Sequence, residues 1–168
     1  MGAQRYLVAN GPMATTAALA KVTTGTSIKT MLQIATSAGN PIAVEEWGIF
    51  FDGTTAATPI QCELVETGSV AATVTAHVAA GVQQYDYVSD GGASTVTLST
   101  TATGYTASAE GTVTATRYGD VVLVPPTSGY QKMFPLGKEF FVPPSRILRV
   151  RVTAGAAVNC STYVIFSD

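Results

Sequence analysis

The sequence predicts an all-β protein: an antiparallel β-sandwich, jelly-roll-like, with an extended N-terminal arm. Three observations predict it. Apolar and polar residues alternate with period two in several runs, turns rich in Gly and Pro separate those runs, and no long helical period occurs. The 168 residues suit one domain with a real hydrophobic core. The expected division is an arm over residues 1–27 and a sandwich over residues 28–168.

The first dozen residues read as arm rather than core, and the Ala- and Thr-rich stretch after them as a short or irregular segment. In the first clear strand Ile28, Thr30, Leu32 and Ile34 share one side, with Lys29 and Gln33 on the other. Gly39-Asn40-Pro41 turns the chain. The next run holds Val44, Trp47, Ile49, Phe50 and Phe51 and closes at Asp52-Gly53. Both of its faces become apolar toward the end, as in a central strand or one whose outer face meets a partner. Residues 59–66 set Ile60, Cys62 and Leu64 on one side. Residues 69–81 mix alanines with β-branched Val and Thr, and read as a loop with at most a short helix. A polar loop tipped with aromatics follows over residues 83–92.

Residues 95–101, 105–110 and 112–125 read as further strands, the last bent near Gly119-Asp120 and stopped by Pro125-Pro126. Residues 131–135 and 140–142 are short and extended. Ile147–Thr153 sets Leu148, Val150 and Val152 against Arg149 and Arg151. After Ala154-Gly155-Ala156 the chain returns with Val158, Cys160, Thr162, Val164 and Phe166 on one face, and Tyr163 and Ile165 on the other. About eight to ten strands of this kind call for two packed sheets or a barrel. The long, unequal loops favour a double-sheet jelly roll. An immunoglobulin order is disfavoured because Trp47 precedes both cysteines.

Composition narrows the function classes. Only 12 % of residues are charged, where ordinary domains carry about 25 %. Depletion of Lys, Glu and Asp is what surfaces covered by other subunits show. A net charge of -2 supplies no basic field for phosphate, so no nucleic acid is expected as a partner. No run approaches the ~20 apolar residues of a membrane span, so no membrane is expected either. Cys62 and Cys160 lie in apolar runs and read as buried free thiols.

Chemistry-bearing patterns are sparse. His77 is the single histidine, which leaves little for a metal cluster or a nucleophile–base pair. Glu45 and Glu46 are adjacent in a strand, and plain alternation points them to opposite faces. Asp86 and Asp90 fit no calcium-loop spacing and read as turn formers. No catalytic residue, cofactor or metal is expected. The candidate interface is instead Arg5 and Tyr6 of the arm, the loop aromatics Tyr85, Tyr87, Tyr130, Phe134, Phe140 and Phe141, and Arg149 with Arg151. The two strand arginines are either solvated or paired with carboxylates of a neighbouring subunit.

Several runs carry a resemblance. They are Lys29-Thr30-Met31-Leu32-Gln33-Ile34, Glu45-Glu46-Trp47-Gly48-Ile49, Phe51-Asp52-Gly53 and Cys62-Glu63-Leu64, then residues 72–83, 102–107 and 110–112. Phe134-Pro135-Leu136-Gly137 and Leu148-Arg149-Val150-Arg151-Val152-Thr153 complete the set. In these the sequence resembles small virion-associated proteins of tailed bacteriophages of actinobacterial and related hosts, over about residues 29–168. It departs from them at residues 85–90, where similar sequences are richer in Pro and Asn. The resemblance implies a head structural or decoration protein with a β-sandwich body, often a homotrimer, located on the capsid surface. The implied partners are further copies of the chain and the major capsid protein or another virion protein. A tail, neck or baseplate component and a carbohydrate-binding sandwich are the alternatives. The latter would use Tyr85, Tyr87 and Tyr130 as a stacking platform, with Asp86 and Asp90 as candidate holders of calcium.

Overall fold

The structure is a computed structural model that describes residues 4–13, 18–19, 21–86 and 92–168. Among these residues the regular structure is thirteen strands and one short 3-10 turn at Ala79–Gly81. The first five strands are β1 (Arg5–Ala9), β2 (Val22–Thr23), β3 (Ile28–Ala35), β4 (Ile42–Phe51) and β5 (Ile60–Glu66). Next come β6 (Thr73–Ala76), β7 (Val82–Gln84) and β8 (Gly104–Ala109). The last five are β9 (Arg117–Val124), β10 (Gly129–Met133), β11 (Phe140–Val142), β12 (Ile147–Thr153) and β13 (Asn159–Ser167).

These strands form two antiparallel sheets packed as a sandwich. Sheet A runs β10-β4-β13-β1-β7, with β11 also pairing β4 and β2 also pairing β13. Sheet B runs β6-β8-β3-β12-β5-β9. One continuous core lies between them. It is built from Trp47, Ile49 and Phe166 of sheet A and from Leu32, Leu64, Leu148 and Val150 of sheet B, all essentially inaccessible. Cys62 and Cys160 are free thiols in this core. Burial pushes the Cys62 thiol up to about 12 and the Cys160 thiol up as well, so neither is a reactive thiolate.

The structure differs from the expected division at the N-terminus. Residues 5–9 are not arm but strand, lying between β13 and β7 in the interior of sheet A. Tyr6 and Val8 point into the core, and the Tyr6 ring stacks on Phe166 at 5.8 Å. Asn10 continues the pairing: its side chain donates to Cys160 O at 3.1 Å and accepts from Thr162 N at 3.0 Å. Two other segments also differ. Thr73–Ala76 forms a strand where a loop was expected. The segment 95–101 contributes only isolated bridges, Ala35 with Thr97 and Leu98 with Thr103.

Bulges reset which side chains share a face. Leu32 pairs with Val150 but Thr30 with Arg151, so Met31 is an extra residue and turns inward. Thr30 therefore leaves the face of Leu32 and joins the outer face. In sheet A, Ile165 pairs with Glu46 and Phe166 with Val44, which makes Glu45 the extra residue.

β9 closes one open side of the sandwich. Asp120 takes hydrogen bonds from Trp47 Nε1 at 3.3 Å and Tyr130 Oη at 2.9 Å, and an ion pair from Lys132 at 3.1 Å. Trp47→Phe should therefore cost only about 1–2 kcal/mol in urea unfolding, from one lost hydrogen bond and a small cavity. A cost near that of a full Trp→Ala truncation would mean that Asp120 holds more than the indole N–H.

His77 ties the segment after β6 to the end of β1. Its ring is buried, tilts against Tyr105 at 4.8 Å and donates from Nε2 to Ala9 O at 2.8 Å. Burial holds its pKa below the ordinary value of 6.5, with the Ala9 carbonyl pulling partly back. The unfolded chain thus takes up the proton first as pH falls. Stability is complete above about pH 6.5 and is lost as pH drops through the lowered folded-state value. The unfolding midpoint of the parent should fall between about pH 7 and pH 5, while His77→Gln should stay flat over that window. Parallel curves for the two proteins would remove His77 as the titrating group.

Candidate interaction face

The two sheets differ at the centre of their outer faces. Over β3 and β12 the outer face of sheet B is covered by the chain between β5 and β9, whereas Val121 and Leu123 of β9 on the same face are exposed. Gln33 is buried under that cover, accepting from Ala72 N at 2.8 Å and donating to Ala102 O at 2.6 Å. Arg149, 0 % exposed, donates to Glu110 Oε2 at 3.2 Å, Glu110 O at 3.0 Å and Val70 O at 2.5 Å. Glu110 also accepts from Thr30 N and Thr30 Oγ1, both at 2.6 Å. Its carboxylate therefore clips the covering segment to two strands. Desolvation holds the Arg149 pKa below its ordinary value, partly offset by Glu110. Arg151 on the same face pairs with Glu63 at 2.8 Å.

The outer face of sheet A has no such cover among the described residues. Register fixes its composition. Phe50, Gly48 and Glu46 of β4 face outward, opposite Ser161, Tyr163 and Ile165 of β13 and Gly129, Gln131 and Met133 of β10. The Phe50 and Tyr163 rings are nearly parallel, 9° apart with centroids at 6.5 Å. They lie flat because the strands beneath carry glycine. A Cβ at Gly129 would come within 2.1 Å of the Phe50 ring, and one at Gly48 within 2.6 Å of the Tyr163 ring. Tyr163 Oη and Gln131 Nε2 both donate to Glu46, the latter at 2.6 Å. Burial raises the Tyr163 pKa, and the Glu46 carboxylate raises it further.

Beside this plate runs a groove of about 420 Å³ floored by Ile165 and walled by Phe134, Met133 and Leu136. Leu136 is 97 % exposed and Met133 71 %. Glu45, Glu46 and Glu139 all line the groove. The bulge at Glu45 explains why two adjacent glutamates share it, against the expectation from alternation. Arg5 and Tyr85 close the other wall. The guanidinium lies 5.5 Å from the Tyr85 ring centroid and is held by Asp86, at 2.8 Å from Nε and 2.5 Å from Nη2. That ion pair keeps the Asp86 carboxyl below its usual range.

The candidate contact residues sort accordingly. Arg5, Tyr85 and Phe134 meet at the groove, and Phe141, half-exposed, lies on the same sheet opposite Ala43. Tyr6 belongs to the core. Tyr130 packs against Trp47 with its hydroxyl on Asp120, and Phe140 packs under Arg117, 4.4 Å from ring centroid to guanidinium carbon. Arg149 is neither solvated nor free for a neighbour, and Arg151 is paired within the chain. Tyr87 and Asp90 lie outside the described residues. The three-tyrosine platform is not assembled, since Tyr130 is packed inward and Arg5 lies against Tyr85.

Phe50, Tyr163, Met133, Leu136 and the three glutamates were absent from the expected contact set. Two signals for them stand in the sequence: the apolar outer side of β4 near Phe50, and the pair Tyr163 and Ile165 on the non-core side of β13. Among the described residues no helix is long and apolar enough to cross a membrane, and no group of three His, Cys, Asp or Glu side chains is placed to hold a metal ion. No protein-family model, curated protein or solved structure matches this chain.

Proposed function

We propose that this chain is a structural virion protein without catalytic role. In this reading it decorates or cements the head of a tailed phage, associates with copies of itself as a homotrimer and binds the major capsid protein or another virion protein at the capsid surface. The observation that carries the reading is the uncovered outer face of sheet A, with Phe50, Tyr163 and Met133 turned outward and Leu136 exposed in the turn after β10. An antiparallel sheet that faces water ordinarily sets polar residues on that side. Exposed aromatic and aliphatic side chains on such a face are what partner subunits cover.

The strand order adds support. β13 lies between β1 and β4, and β12 between β3 and β5, so early and late strands interleave in both sheets. Double-sheet jelly rolls wind in this way and recur in viral capsid proteins and lectins. A charged fraction of 12 % fits a surface largely covered by neighbours.

The test is the mass of the purified protein by light scattering, alone and mixed with phage heads lacking it, followed by co-sedimentation. A stable trimer that sediments with the heads is the expected result. Sedimentation with tails instead would move the protein to the tail, neck or baseplate. The flat Phe50–Tyr163 plate favours one other reading, a carbohydrate-binding sandwich. Retention on a glycan column, lost in Phe50→Ala, without sedimentation on heads would select it.

A further inference from the structure

We propose that the groove on the outer face of sheet A is the seat of a polypeptide segment of a different protein, one carrying lysine or arginine beside apolar side chains. This inference rests on the assembly reading above and names the partner of that face. Charge decides the class of occupant. Three carboxylates, Glu45, Glu46 and Glu139, line the groove, and among the described residues Arg5 is the one cation that lines it with them, while Lys132, against the Phe134 ring, is paired with Asp120. Arg5 is engaged chiefly by Asp86 through two hydrogen bonds, and forms a longer ion pair with Glu45 at 3.8 Å. Glu46 receives neutral donors only, from Gln131 and Tyr163, and Glu139 accepts from Gly137 N at 2.9 Å. Among the described lining residues the groove thus carries an excess of negative charge, three carboxylates against one guanidinium that is shared with Asp86.

Its apolar part is as well defined. Ile165 forms the floor, and Met133 and Leu136 stand exposed at the rim. Apolar surface flanking an excess of carboxylates recognises a cation with apolar neighbours, since each feature alone is available to water or to any hydrophobe. The same charge argues against two copies pairing groove to groove. Two such grooves brought together would set glutamates against glutamates, with each Arg5 already taken, and like charges across an interface reject that pairing.

The test has two arms. In the first, a fluorescein-labelled octapeptide of alternating lysine and leucine is titrated by fluorescence anisotropy. The proteins compared are the parent, Glu45→Gln/Glu139→Gln and Leu136→Ser. All three positions lie at the surface, and thermal unfolding confirms that the variants are folded. Expected is saturable binding that weakens with added salt and by about tenfold in each variant. A glutamate–leucine octapeptide should not bind. In the second arm the same proteins are sedimented with heads lacking the chain, and both variants should lose binding.

Equal affinity of parent and variants for the lysine–leucine peptide would mean adventitious cation binding and overturn the inference, as would no binding at all. Variants that sediment with heads as well as the parent does would remove the groove as the contact while leaving the assembly reading intact. Groove-dependent peptide binding by a parent that ignores heads would do the reverse. It would support the cationic partner and sink the head reading.

Discussion

A chain lacking residues 1–9 is expected to be unfolded, with a far-UV circular dichroism spectrum that lacks the β-sheet signature. β1 is an interior strand of sheet A, and its removal leaves β7 without a partner and one side of β13 unpaired. Tyr6 and Val8 are fully buried, each contributing about 1.5–3 kcal/mol of apolar burial. The lost ladder bonds add to this, and a whole domain is stable by only about 5–15 kcal/mol. A true arm would come off with the unfolding midpoint unchanged, and that result would overturn the strand role. If the truncated chain cannot be recovered, Tyr6→Ala gives the same information. It should cost about 3–5 kcal/mol by urea unfolding, the scale of a buried aromatic truncation.

Glu110→Ala should cost about 3–5 kcal/mol. Arg149 would remain fully buried with only two carbonyl acceptors, Glu110 O and Val70 O, and its Nε already lacks a partner. Thr30 N and Thr30 Oγ1 would lose their acceptor as well. Glu110 is itself a quarter exposed, so the larger part of the cost is the stranded guanidinium rather than a lost attraction. That distinction can be measured. Replacing both partners, with Glu110→Ala and Arg149→Met together, should recover most of the loss, because an apolar side chain of similar length tolerates the site. The double variant should then be more stable than Glu110→Ala alone by at least about 1 kcal/mol. Additive losses would mean that the two residues stabilise the covering segment independently.

The fold was legible where turn chemistry brackets a strand. Asn40-Pro41 and Asp52-Gly53 delimit β4, and Pro143-Pro144 and Gly155 delimit β12, whose apolar residues Leu148, Val150 and Val152 face the core. β1 was hidden because five residues ending at Asn10-Gly11-Pro12 carry too short an alternation to distinguish strand from arm. The bulges at Met31 and Glu45 were hidden for another reason. One extra residue reverses the parity of every residue beyond it, and no residue type marks the place. Parity errors hid the groove itself, because Glu45 and Glu46 share it only through the bulge. Arg149 misled in the opposite direction: an arginine on the non-core side of a strand reads as solvated until a distant segment covers it.

The interleaving of early and late strands also governs how the protein can be made. β12 and β13 are central in their sheets, yet they are synthesised after every strand they join. At about 5–20 residues per second, β1 waits roughly ten to thirty seconds for β13 to leave the ribosome. Until β12 and β13 emerge, the edges of β1, β3, β4 and β5 that they will occupy stay open, and open edges recruit strands from other chains. Nascent copies on one message are the nearest source. Chaperone demand during translation should therefore be high for this chain, and it should end only when β13 emerges.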